Sequence, residues 1–122
     1  MTSAAALFAK LSATAEVTDL VGDRIYPVRP EQGAAAPYII FQQIGGDPGN
    51  THNEAAGATI RMFQFACFAL TFEDANALRD LVIAALDNAD LENGDSPSLD
   101  DERDADFEES ANVYRADADF SV

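Results

Sequence analysis

The stretch Thr59-Ile-Arg-Met-Phe-Gln-Phe-Ala-Cys-Phe-Ala-Leu70 restricts the possible folds more than any other part of the chain. It lacks glycine and proline and is rich in aromatic and apolar side chains, so it reads as a strand. One face would carry Ile60, Met62, Gln64, Ala66 and Phe68; the other would carry Arg61, Phe63, Phe65, Cys67 and Ala69. Both faces are largely apolar. An antiparallel strand with one wet face alternates apolar and polar residues, and this one does not. It is therefore expected to be covered on both sides.

The segment that follows supplies one cover. Thr71 to Asn88 predicts a helix, with Thr71 and Asp74 spaced as a capping box in which Asp replaces the usual Glu. Asp74 also suits the positive end of the helix dipole. Ala75, Leu78, Leu81, Val82, Ala85 and Leu86 form a single apolar stripe, and one stripe covers one face of a sheet. A partner subunit is the simplest second cover. The face of Arg61, Phe63, Phe65 and Cys67 is expected to meet it, each buried large apolar side chain contributing roughly 1.5–3 kcal/mol.

Around this centre the sequence predicts simpler pieces. Ser3 to Leu11 reads as a short helix with Ser3 as N-cap, and Val17 to Val21 as a helical turn stopped by Gly22. Arg24 to Pro27 is extended, Val28 to Ala36 is a loop broken by prolines and glycine, and Tyr38 to Ile44 is a strand. Gly45 to Ala58 is a polar, glycine-rich loop too long for a tight hairpin turn. Asp87 to Asp101 reads as a turn-rich linker, Asp104 to Glu109 as a weak acidic strand, and Asn112 to Val122 as a half-buried strand. On that strand Tyr114, Ala116, Ala118, Phe120 and Val122 face inward. The expected fold class is α+β, one domain spanning residues 1–122. It is a mostly antiparallel sheet of about four strands with helices packed on one face, and Arg24 to Tyr26 is a candidate edge strand.

Charge narrows the function. The chain has 22 Asp and Glu against 7 Lys and Arg, a net charge of −15. Such a surface repels phosphate backbones and anionic membranes, which disfavours sequence-reading contact with DNA and binding to lipid. No apolar run approaches the roughly 18 residues of a membrane span. Met1 to Ala6 has no basic stretch, so a secretory signal is not expected. Cys67 is the one cysteine; it cannot form a disulfide within the chain, fits a reducing cytoplasm, and reads as a small buried hydrophobe.

The search for chemistry yields no catalytic, cofactor or metal residues, and the expected reading is a non-enzyme. His52 is the single histidine, flanked by Asn50, Thr51, Asn53 and Glu54, and reads as a solvated loop residue. A zinc site needing two histidines is excluded. Gly45-Gly-Asp-Pro-Gly49 follows a strand but lacks the Gly-Lys-Ser/Thr ending of a phosphate loop. The stretch Asp87 to Gly94 places Ala89 and Leu91 where a calcium loop needs oxygen ligands. The acids from Asp100 to Glu109 read as a solvated acidic face.

Four stretches resemble a known family. They are Leu20-Val-Gly-Asp-Arg-Ile-Tyr-Pro27, Pro37-Tyr-Ile-Ile-Phe-Gln42, Phe63-Gln-Phe-Ala-Cys-Phe68 followed by Ala75, Leu78 and Leu81, and Tyr114-Arg115 with Asp119-Phe-Ser-Val122. Their order and spacing resemble the tail-completion proteins of long-tailed phages, also called tail terminators or head–tail joining proteins. The resemblance implies a subunit of a hexameric ring at the head-proximal end of the tail, assembled in the host cytoplasm and carried in the virion. Its partners would be other copies of itself, the tail tube protein and the head–tail connector or stopper protein. DNA would pass through the central hole without sequence-specific binding. A phage, a prophage or a gene-transfer agent would encode the same kind of protein. On this reading the loop residues Asp47, Asn50, His52 and Glu54 reach an adjoining ring. Asp100, Asp101, Glu102, Asp104 and Asp106 line the hole. A small acidic adaptor, monomeric or dimeric and without catalytic activity, is the alternative.

Overall fold

The computed structural model describes residues 2–47 and 60–122. Its elements are α1 (Ser3–Ser12), α2 (Ala15–Val21), β1 (Ile25–Pro27), β2 (Tyr38–Asp47), β3 (Ile60–Ala69), α3 (Phe72–Leu86), β4 (Ser98–Glu108) and β5 (Val113–Ser121). The strands form one sheet in the order β1-β2-β3-β5-β4. The class is α+β, as the sequence predicts, but the sheet has five strands instead of about four. The added strand is β1, which pairs parallel to β2 from Ile25↔Ile39 to Pro27↔Phe41; the other pairings are antiparallel.

Local chemistry sets the helix ends. α1 is capped by Thr2, not Ser3: the Thr2 hydroxyl accepts from the Ala5 N–H at 3.1 Å. Ser3 instead donates its hydroxyl to Asp95 at 2.9 Å, tying α1 to the loop before β4. α2 stops at Gly22, whose φ of +61° is strained for a residue with a Cβ. Arg24 fastens the following corner by donating to the Pro37 carbonyl at 3.0 Å and the Leu20 carbonyl at 3.3 Å. Thr71 caps α3 as expected, its hydroxyl accepting from the Asp74 N–H at 3.1 Å.

The helices pack on one face of the sheet, and the main core lies between. Ala75, Leu78, Val82 and Leu86 of α3 are buried against it, with Leu7 and Leu11 of α1 and Val17 and Val21 of α2. From the sheet come Ile39, Phe41, Phe63, Phe65, Cys67, Ala118 and Phe120. Phe65 is stacked on Phe41 at 5.8 Å between ring centroids and meets Phe120 edge-on at 5.7 Å.

β4 begins at Ser98, inside the expected linker. Two contacts place its start beside the end of α3: the Asn88 N–H donates to the Pro97 carbonyl at 2.8 Å, and the Leu99 N–H to Asp87 Oδ1 at 3.0 Å. β2 likewise runs on to Asp47, so Gly45 to Asp47 are strand and not loop.

Candidate functional site

The burial pattern of β3 corrects the expected subunit interface. Phe63, Phe65 and Cys67 are 3%, 0% and 0% exposed beneath the chain's own helices, so they offer nothing to a neighbour. Only Arg61 of that group is exposed. The alternation argument identified two apolar faces but could not say which one α3 covers. Burial also raises the Cys67 thiol far above its ordinary pKa, leaving it protonated.

The far face of the sheet is covered in large part from within the chain. Tyr38 stacks on Phe68 at 4.9 Å, and these two with Ala66 and Val113 form a small second core. Tyr26, Ile40, and Ala34 and Ala36 of the β1–β2 connection pack against it. Burial, then the neighbouring Tyr26, raise the Tyr38 phenol pKa. The second cover of β3 is thus its own tyrosines and a proline-flanked loop, which strand periodicity does not reveal.

Toward β4 the same face turns ionic. Arg103 pairs with Asp101 at 2.6 Å, Asp119 at 3.1 Å and Asp117 at 3.3 Å. Arg115 pairs with Asp117 at 2.8 Å, donates to Gln64 at 3.1 Å and lies over the Phe68 ring at 5.7 Å. The hydrogen bond from Arg103 to Asp119 is the main reason the Arg103 pKa is raised. Thus Asp117 and Asp119, on the face the sequence marks as wet, are mostly buried and matched by arginine.

β4 is a free edge of the sheet, and all five acids assigned to the hole lie on it, exposed. They do not share one face. Glu102 is in register with the inward Ala118, while Asp101 is in register with Asp119 of the far face. Asp104 reaches to the helix side, where it pairs with Arg79 of α3 at 2.9 Å. Arg79 is buried and also donates to the Arg103 carbonyl at 2.9 Å and to Asp80. Burial lowers its pKa, but the hydrogen bonds to Asp104 and Asp80 outweigh this and leave it raised. Asp100 accepts from the Ser121 hydroxyl. Asp101 and Asp104 are therefore partly neutralised by arginine, while Glu102 and Asp106 are in no ion pair among the described residues. Asp47 ends β2, paired with Ile60; Asn50, His52 and Glu54 lie outside the described residues. Among the described residues no three His, Cys, Asp or Glu side chains gather as a metal site would require.

Sequence reasoning missed an exposed apolar cluster at one end of the strands. There Leu70 is 68% exposed, with Phe72 and Phe107 beside it, both meeting Tyr114 edge-on. A groove of about 280 Å³ continues this surface past Leu70 to Pro37 and Leu20, with Asp74 on its wall. At the other end Ile44, Ile60 and Arg61 are exposed, Ile60 and Arg61 on opposite faces of β3. The signal was present in Leu70 and Phe72, which bracket the Thr71 cap where neither strand nor helix can bury them.

Three comparisons with known proteins bear on this arrangement. A family model described as "Tail completion protein gp17" matches residues 5–122. A solved chain from the "Virion of native gene transfer agent (GTA) particle" is similar at 23% identity and a TM-score of 0.72, covering 96% of this chain and 90% of that one. That likeness shows the fold. No curated protein matches the chain.

Proposed function

The chain belongs to the tail completion protein gp17 family, and from that membership we propose that it is one subunit of a hexameric ring that ends the tail tube and joins it to the head connector. The family match over residues 5–122 carries this reading. The similar fold of the chain from a gene-transfer-agent virion supports it. The chain is a structural protein of a phage-type tail, and the ring is the form in which it would act.

Three tasks follow for the ring. It must hold its subunits together, meet the rings on either side, and let DNA through. We assign the last task to the exposed edge β4, whose acids would repel a passing duplex within about one Debye length, roughly 8 Å at physiological salt. Because these acids point to both faces, the edge of the sheet and not one face would border the hole. The segment from Asp47 through Glu54 keeps its sequence-based role as the part that reaches the adjoining ring.

The test is assembly without the chain. Lysates lacking it should contain filled heads and tails that do not join, and adding the purified chain should restore joined particles. Equal numbers of joined particles in its absence would refute the reading. Changing Asp100, Glu102 and Asp106 to Lys, with Asp104 left to hold Arg79, should leave particles intact but slow DNA ejection; unchanged ejection would remove the proposed role of the edge.

A further inference from the structure

β4 is held to the sheet by means unlike those that hold the central strand. Six of the ten residues of β3 are buried. In β4, eight of eleven residues are exposed and none is buried. Its Leu99 and Ala105 pack against the apolar clusters, both only partly buried. Its pairing with β5 is interrupted twice, between Leu99 and Asp101 and between Arg103 and Asp106. An edge strand with little buried apolar surface and exposed backbone hydrogen bonds is where local opening begins.

Charge works against the same strand. β4 carries six acids and one arginine, and Asp101 stands in register with Asp119 of β5. Arg103 alone answers three carboxylates, those of Asp101, Asp117 and Asp119. From α3, Arg79 reaches the Arg103 carbonyl and Asp104, and Asn76 accepts from the Ala105 N–H at 2.7 Å. These ties are short, and the side chains of Asp117 and Asp119 are 13% and 12% exposed. Salt screens such partly buried pairs little. The repulsion among the exposed acids acts over a longer range through water, and salt screens it strongly. The two effects therefore respond to salt unequally, and the repulsion is removed first.

We propose that β4 is a strap whose hold on the sheet is set by ionic strength. At low salt it opens ahead of the rest of the sheet, and counterions draw it closed. This is a property of one subunit and stands apart from the ring reading. In the ring, the edge that would border the hole is also the edge that yields first.

Residue-resolved hydrogen exchange of the full chain tests it at about 0.01 M and about 0.15 M salt, between which the Debye length falls from about 30 Å to about 8 Å. At low salt, β4 amides bonded to β5 should exchange at least about tenfold faster than β3 amides bonded to β2. At the higher salt that gap should narrow by about threefold, the scale of exposed charge interactions. A double variant, Glu102→Gln with Asp106→Asn, separates charge from simple fraying. Both side chains are exposed and in no ion pair among the described residues, and Asn keeps the oxygen that accepts from the Phe107 N–H. The variant thus removes repulsion and no tie. It should slow β4 exchange at low salt by about threefold and leave a smaller response to salt. Equal exchange of β4 and β3, or a gap that stays or widens as salt rises, overturns the proposal. So does a double variant whose β4 exchanges as the wild type does.

Discussion

Phe65→Ala separates an internal role for the central strand from an intersubunit one. Phe65 is fully buried, stacked on Phe41 and edge-on to Phe120. Truncating a buried phenylalanine removes its transfer free energy and leaves a cavity, a cost of about 3–5 kcal/mol. Because Phe65 lies between two other rings, collapse around the gap would need both to move, so the upper part of that range is expected. A domain of this size has a total stability on the order of 6–18 kcal/mol. The subunit should therefore remain folded but lose a large share of its margin. Urea denaturation of the isolated subunit reads the loss directly. With a slope of about 1.5 kcal/mol/M, the midpoint should fall by about 3 M. A shift equivalent to less than about 1 kcal/mol, together with failed assembly, would refute the reasoning, since that is how an interface residue behaves.

Arg79→Ala should destabilise the subunit by about 1–3 kcal/mol, because it takes the donor from the Arg103 carbonyl and unties β4 from α3; thermal unfolding measures this, and a change under about 0.5 kcal/mol would contradict it. Native Cys67 should resist thiol reagents at neutral pH and react once the chain is unfolded. Its raised pKa also has a sign: the unfolded thiol ionises near its ordinary value of 9.0 while the buried one stays protonated. Stability should therefore be intact below that pH and fall above it by about 1.4 kcal/mol per pH unit. Cys67→Ala should flatten the fall between about pH 9 and the Tyr38 phenol's range, and an unchanged slope would count against burial of the thiol.

The sequence made the skeleton of the fold legible where pattern and chemistry agreed. The Thr71 cap, the α3 stripe and the inward run of Ala116, Ala118 and Phe120 stand as expected, because capping and periodicity are local properties. What failed depended on contacts between distant segments. The same β3 pattern fits either face against the helices, and only packing assigns Phe65 to the inside. The second half of β4 was legible as a strand, but its first half, from Ser98, is held by pairing with β5 and by Arg103, contacts that its acidic composition hides. The far-face cover comes from Tyr38 and from Ala34 and Ala36, residues that no alternation rule ties to Phe68. The Leu70 cluster was visible only as isolated apolar residues until the strand register set Leu70 and Phe107 together through Tyr114.

Cryo-electron microscopy of intact particles, with this chain located in the map, tests the central claim most directly. The account predicts a closed ring of copies at the head-proximal end of the tail, with β4 bordering the hole. Absence of the chain from the joint between head and tail, or its presence there as isolated copies, would contradict it.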